Sequence, residues 1–135
     1  MGFYRQEAET YWPGLRNFIL YALYDMKDFV IEGVWLRPDH VRELLDEVSS
    51  DSISAGFLGK TGVDQIADGL RASSQPNDWA QRNTGDSTYS KIAEMIDLFS
   101  NLTEAECLKY DLPAYDVTHD FHRQIDDLAR TLAGE

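Results

Sequence analysis

The stretch from Trp12 to Trp35, WPGLRNFILYALYDMKDFVIEGVW, constrains the fold more than any other part of the chain. Seven consecutive residues, Phe18 to Tyr24, are apolar or aromatic. Leu15, Phe18, Ile19, Ala22, Leu23, Met26, Phe29, Val30 and Gly33 step by three and four, the period of an amphipathic helix. Leu20, Tyr21 and Tyr24 widen that stripe. A helix apolar on most of its circumference belongs inside a bundle. The spacing therefore predicts a long, largely buried central helix with Pro13 in its first turn, where a missing N–H costs nothing. Pro38 marks its end, because the residue before a proline is pushed out of helical dihedrals. Residues Phe29 to Leu36 are rich in β-branched and aromatic side chains, so a minor β element near 29–36 is the rival reading. No convincing second strand is evident to pair with it. Arg16, Asp25, Lys27 and Asp28 interrupt the apolar run, which excludes a membrane span.

Helical periodicity recurs along the rest of the chain. Phe3 to Tyr11 reads as a short helix. Arg37 to Ser50 reads as a third, with Val41, Leu44, Leu45 and Val48 as its stripe. Ser49 to Gly62 is loop-like, with four serines and three glycines. Val63, Ile66, Ala67 and Leu70 predict a short helix ending near Ser73. Ser74 to Gly85 is turn-rich with Trp79 in its middle. A helix starting at Asp86 or Ser87 carries Tyr89, Ile92, Ala93, Ile96 and Phe99. Thr103 and Glu106 have capping-box spacing, which predicts a separate helix over Glu104 to Tyr110. Pro113 is expected to open the last helix, with Val117, Phe121, Ile125, Leu128 and Leu132 inward and Gly134 as its stop. The fold class expected is all-α: a helical bundle forming one domain over residues 1–135.

The chain has 12 basic and 24 acidic residues, a net charge of −12. Eleven of the acidic residues lie up to Ala67 and thirteen after it, so the charge is spread and not confined to a tail. Such a surface repels phosphate backbones and lacks the basic footprint of a nucleic-acid binder. It steers toward a basic protein. The first residues, MGFYRQEAET, show no basic region followed by an apolar one, and Gln6 stands where a myristoylation pattern needs Ser or Thr. Cys107 is the single cysteine, in keeping with a reducing, cytoplasmic setting of bacterial type.

Chemistry-bearing patterns are thin. His119, His122 and Asp126 have the spacing of one helical face, and such donors suit zinc or iron. On a helical wheel they oppose the Phe121, Ile125 and Leu128 stripe, which places them in solvent. His119-Asp120 resembles the adjacent pair of the HD-domain phosphohydrolases, but that family needs further ligands on separate helices and only His40 lies upstream. Gly59-Lys60-Thr61 resembles the end of a phosphate-binding loop, yet Ser54 stands where the pattern needs its first glycine. Cys107 sits beside Glu106, which raises a thiol pKa and argues for a structural cysteine. Asp46-Glu47 and Asp126-Asp127 point about 100° apart on a helix and do not converge as acid and base. No enzymatic activity, cofactor or metal is expected from these patterns.

Seven Tyr and three Trp are more informative. Tyr11, Tyr24, Trp79, Tyr110 and Tyr115 fall off the core stripes or in turn-rich segments. Tyr and Trp beside acidic residues are common anchors of protein-binding surfaces. The expectation is a small acidic protein that binds and inhibits a partner with a basic surface, as toxin-neutralising immunity proteins and inhibitors of bacterial defence do. It would act by charge-steered occlusion. The residues expected to meet the partner are Asp46, Glu47, Asp51, Asp78 and Trp79. A structural or regulatory subunit, with its aromatic surface as an oligomer interface, is the alternative; a metal-dependent hydrolase is the third reading.

Overall fold

A computed structural model describes residues 2–25, 28–48, 52–72 and 85–135. The fold is mostly helical, with one short two-stranded parallel sheet. The chain forms two compact units, Met1–Ser54 and Ala55–Glu135.

The first unit holds α1 (Gly2–Tyr24) and α2 (Pro38–Glu47). Helix α1 merges the expected short N-terminal helix with the first half of the expected central one. Pro13 lies within it on its exposed side, so the Glu9 carbonyl lacks its helical donor. The helix stops at Tyr24, eleven residues short of Trp35, and its buried residues are only Ala8, Trp12 and Ala22. Burial therefore follows small residues and one Trp, while Tyr21 and Tyr24 are 66% and 85% exposed. Residues 28–36 form neither helix nor strand. This segment runs back along α1 through ring contacts: Phe29 meets Phe18 edge-on at 6.0 Å, and Trp35 stacks on Tyr4 at 5.4 Å. The Tyr4 hydroxyl donates to the Val34 carbonyl. Aromatic and β-branched side chains here supply packing without a backbone ladder. Helix α2 lies inside the expected Arg37–Ser50 range, starting at Pro38 with Asp39 in its first turn and ending at Glu47.

The second unit is built on α4 (Asp86–Tyr110), a single helix of 25 residues. It packs against α3 (Val63–Ala72), and Ile66, Ala67 and Ala93 form the buried centre, with Val63, Leu70 and Ile96 around it. The expected break at Thr103 is not there. No Gly or Pro interrupts 100–103, and the polar residues that could cap a new start are engaged otherwise. Asn101 donates to the Asp97 carbonyl one turn back at 2.8 Å, and the Ser100 hydroxyl accepts the Lys60 N–H at 2.8 Å. Propagating a helix costs less than nucleating one. It ends where Asp111 takes a left-handed conformation (φ 53°) and Leu112 N–H reaches the Cys107 carbonyl at 2.9 Å, before Pro113.

Strands β1 (Phe57–Gly59) and β2 (Ala114–Asp116) pair in parallel, with Leu58 opposite Tyr115. The ladder extends through Phe57 N–H to the Pro113 carbonyl at 3.0 Å and Val117 N–H to the Gly59 carbonyl at 2.8 Å. Gly59 lets β1 approach α4 closely: a Cβ there would lie 3.2 Å from Ser100 Cβ. Pro113 thus precedes a strand, and the last helix, α5 (Phe121–Ala133), begins eight residues later, after Asp120 at φ 56°. Gly134 (φ 75°) stops it as expected. None of the described helices is long and apolar enough to cross a membrane.

Candidate functional site

Helices α1 and α2 meet through long side chains around a charged cluster in which Arg37 and His40 are buried. Arg37, 3% exposed, caps the start of α2 and forks onto Asp39, with Nε 3.0 Å from Oδ1 and Nη2 2.6 Å from Oδ2. Its Nη1 lies 3.9 Å from Oε1 of Glu9 on α1. Two planar groups meeting in this fork make a strong, oriented pair. Asp39 Oδ1 also accepts the His40 backbone N–H at 3.0 Å. Arg5, on the exposed side, approaches Asp39 Oδ2 at 3.8 Å.

His40 is the unusual member. It is 4% exposed, and its ring stacks on Trp12 with centroids 4.6 Å apart and planes 8° from parallel. Trp12 in turn donates its indole N–H to Glu43 at 3.3 Å. The imidazole Nε2 lies 3.5 Å from Glu9 Oε2, yet neither ring nitrogen makes a hydrogen bond within the protein. Buried polar groups are nearly always paired. Among the described residues, Glu9, Asp39 and His40 are the one group of three His, Cys, Asp or Glu whose ligand atoms converge, all within 4.8 Å of one another. The sequence reading missed it. Glu9 and His40 are 31 positions apart on different helices, and a lone His carries no spacing signal.

A different kind of surface lies along the outside of α1. Phe18, Tyr21 and Tyr24 follow at three-residue steps, all exposed, and Phe29 extends the row through its contact with Phe18. Asp25, Asp28 and Glu32, near these residues in sequence, are exposed as well. Counting Phe3 and Tyr11, the first unit exposes six large aromatic rings; among the described residues of the second unit, Phe121 is the one aromatic so exposed.

The residues expected to bind a partner fall in two groups. Asp46 and Glu47 close α2 at its exposed end, where Asp46 pairs with Arg42 at 2.7 Å and Glu47 pairs with Arg16 of α1. Asp51, Asp78 and Trp79 lie outside the described residues.

The other sequence patterns resolve in the second unit. His119 is not on α5 but in the turn before it, so it does not share a face with His122 and Asp126. Gly59-Lys60-Thr61 joins β1 to α3, and its backbone donors are spent. Lys60, Thr61 and Gly62 N–H groups go to Ser100 Oγ (2.8 Å), Thr118 Oγ1 (2.7 Å) and Asp97 Oδ1 (2.8 Å). A phosphate cradle needs those donors free. Asp116 anchors this turn. Burial alone would raise its pKa, but hydrogen bonds from the Thr118 hydroxyl, the Thr118 N–H and Thr61, with the charge of His119, hold it below the ordinary 3.8. Cys107 is 1% exposed. Burial first, then Glu106 and Glu104, push its thiol up to about 11, so it stays protonated at neutral pH, unlike a catalytic nucleophile.

The chain matches no known family model, no curated protein and no solved structure.

Proposed function

We propose that this protein acts by binding another protein that presents a basic surface, and that its role is binding and not catalysis. The observation that carries this is the exposed aromatic row of Phe18, Tyr21 and Tyr24, with Phe29 against it. Single exposed apolar residues are ordinary, but contiguous apolar patches rimmed by polar residues mark interaction surfaces. Tyrosine suits this role because it offers a large apolar face and a polar tip at low entropic cost. The acidic rim and the net charge of −12 would speed encounter with a basic partner and disfavour acidic ones.

In this reading Asp46 and Glu47 steer the approach, while the aromatic row supplies the buried area; Asp51, Asp78 and Trp79 are expected contacts from sequence alone. Occlusion of a basic cleft would make the protein an inhibitor, of the kind that neutralises a toxin or blocks a defence enzyme. Retention from lysate at low and high salt tests this, with the wild type beside the triple variant Phe18→Ser, Tyr21→Ser, Tyr24→Ser. The expected result is one basic protein held by the wild type, weakened by salt and lost in the variant. Equal retention by both would remove the aromatic row from the interface. A dimeric molar mass abolished by the same variant would instead assign the row to an oligomer, as in a structural or regulatory subunit.

A further inference from the structure

We propose that Glu9, Asp39 and His40 form a binding site for a divalent first-row transition-metal ion that clips α1 to α2. The sequence predicts no metal, because His119, His122 and Asp126 oppose the apolar stripe of the last helix; no pattern along the chain points to Glu9, Asp39 and His40. Their placement does. One imidazole and two carboxylates within 4.8 Å of one another are a donor set for zinc, iron or manganese rather than calcium or magnesium. Metal bonds of about 2.0–2.2 Å put neighbouring donors roughly 3 to 3.5 Å apart. The His40 Nε2 and Glu9 Oε2 separation of 3.5 Å already has that bite. Glu9 is half-exposed, so its carboxylate can adjust and the open side can admit water to complete the shell.

The independent observation is His40 itself. Its side chain is 5% exposed and faces Glu9, and both ring nitrogens lack a hydrogen-bond partner in the protein. Leaving a buried imidazole nitrogen unpaired costs free energy, and an ion on Nε2 would recover the part that belongs to that nitrogen. Stacking on Trp12 fixes the ring plane.

Positive charge nearby works against the ion. Arg37 already occupies Asp39, and the first turn of α2 presents a positive dipole end. Two carboxylates still outnumber the one guanidinium buried among them. Arg5 is the competitor that can leave: it is largely exposed and its contact with Asp39 is long, 3.8 Å. Removing Arg5 should therefore strengthen metal binding, whereas removing a ligand weakens it. A purely structural ion-pair network would show no such opposition.

The test is zinc titration of the full-length chain by calorimetry, with the histidine ring resonances followed by NMR. The expected result is one zinc ion per chain, a raised thermal midpoint, and shifts of the His40 ring signals while those of His119 and His122 stay. Glu9→Gln should weaken binding about tenfold or more, on the scale of lost metal contacts. Arg5→Ala should tighten it about two- to fivefold, the worth of a surface ion pair. His40→Ala should abolish binding, and because it empties a buried position the two exposed substitutions carry the test if it unfolds. Zinc binding unchanged in Glu9→Gln, signals moving at His119 or His122 instead, weaker binding in Arg5→Ala, or no zinc bound at all would overturn the proposal.

Discussion

The two units of this protein solve the same problem with different chemistry. In Ala55–Glu135, α3 and α4 bury Ile66, Ala67 and Ala93 against each other, an aliphatic contact of close-packed small and branched side chains. In Met1–Ser54, α1 and α2 are joined by Arg37, Asp39, Glu9, Trp12 and His40, and an irregular segment is pinned to α1 by rings. Apolar packing is non-directional and tolerates change of side-chain identity at constant volume. A buried charged network is directional and fails sharply when one member goes. The first unit uses its aromatic residues partly in its own folding and leaves a row of them exposed, the surface proposed above for a partner.

The largest effect expected is from Arg37→Ala. It removes a buried side chain and leaves Asp39 without its fork partner. Asp39 is partly exposed and keeps the long Arg5 contact, so the loss falls at the low end of the range of about 3–5 kcal/mol for breaking a buried ion pair from one side. Urea unfolding with residue-resolved hydrogen exchange should show the loss concentrated in α1 and α2. A loss below about 1 kcal/mol, the range of surface pairs, would mean that ring stacking and not charge holds the first unit. Ile66→Ala comes next, about 2–5 kcal/mol for a truncated core residue, with exchange quickening in α3 and α4. A single unfolding transition in both variants would support the one domain expected from chain length; two transitions would mean each unit melts alone.

Asp116→Asn should act more gently and with a pH signature. The native Asp116 is held below its ordinary 3.8, so its contribution is present above that value and disappears as the pH falls through the native pKa. The variant should be slightly less stable than the wild type at pH 7 and should converge on it as the pH falls through the native pKa, which lies below 3.8. A difference that persists in acid would trace to the lost packing of the turn and not to the carboxylate charge.

Legibility in the sequence followed how local each signal is. The helices α2, α3 and α5 show their stripes at three- and four-residue steps, and Gly134 marks an end in the expected way. The central stretch misled because Phe18, Tyr21 and Tyr24 are aromatic yet exposed: composition counts rings, and it cannot tell a ring in the core from one on the surface. Strands β1 and β2 left no trace because three residues cannot establish a period of two, and Phe57 and Ala114 are partners across 57 positions. The Thr103 capping box is real in spacing but idle in structure, since a cap acts only where the preceding residues leave the helix. The Glu9, Asp39 and His40 group was illegible for the same reason as the sheet. Its members come from two helices, and only the fold brings them together.

Cys107 sharpens the contrast from the side of the second unit, with the smallest effect on stability at neutral pH. Its thiol lies 1% exposed near the C-terminal end of α4 and is raised to about 11. Burial and the Glu106 and Glu104 charges both disfavour the thiolate. Because the folded value stands above the ordinary 9.0, the associated stability is complete below pH 9 and is lost as the pH rises toward 11. A thiol reagent at pH 8 should therefore leave the native protein unmodified and label it at the rate of unfolding. Ile66→Ala should speed that labelling, because Ile66 and Cys107 belong to the unit built on α4. Arg37→Ala should leave it unchanged if the charged network acts only within the first unit. Equal acceleration by both substitutions would show that the network and the aliphatic core are one cooperative structure, and that their chemical difference does not divide the energetics.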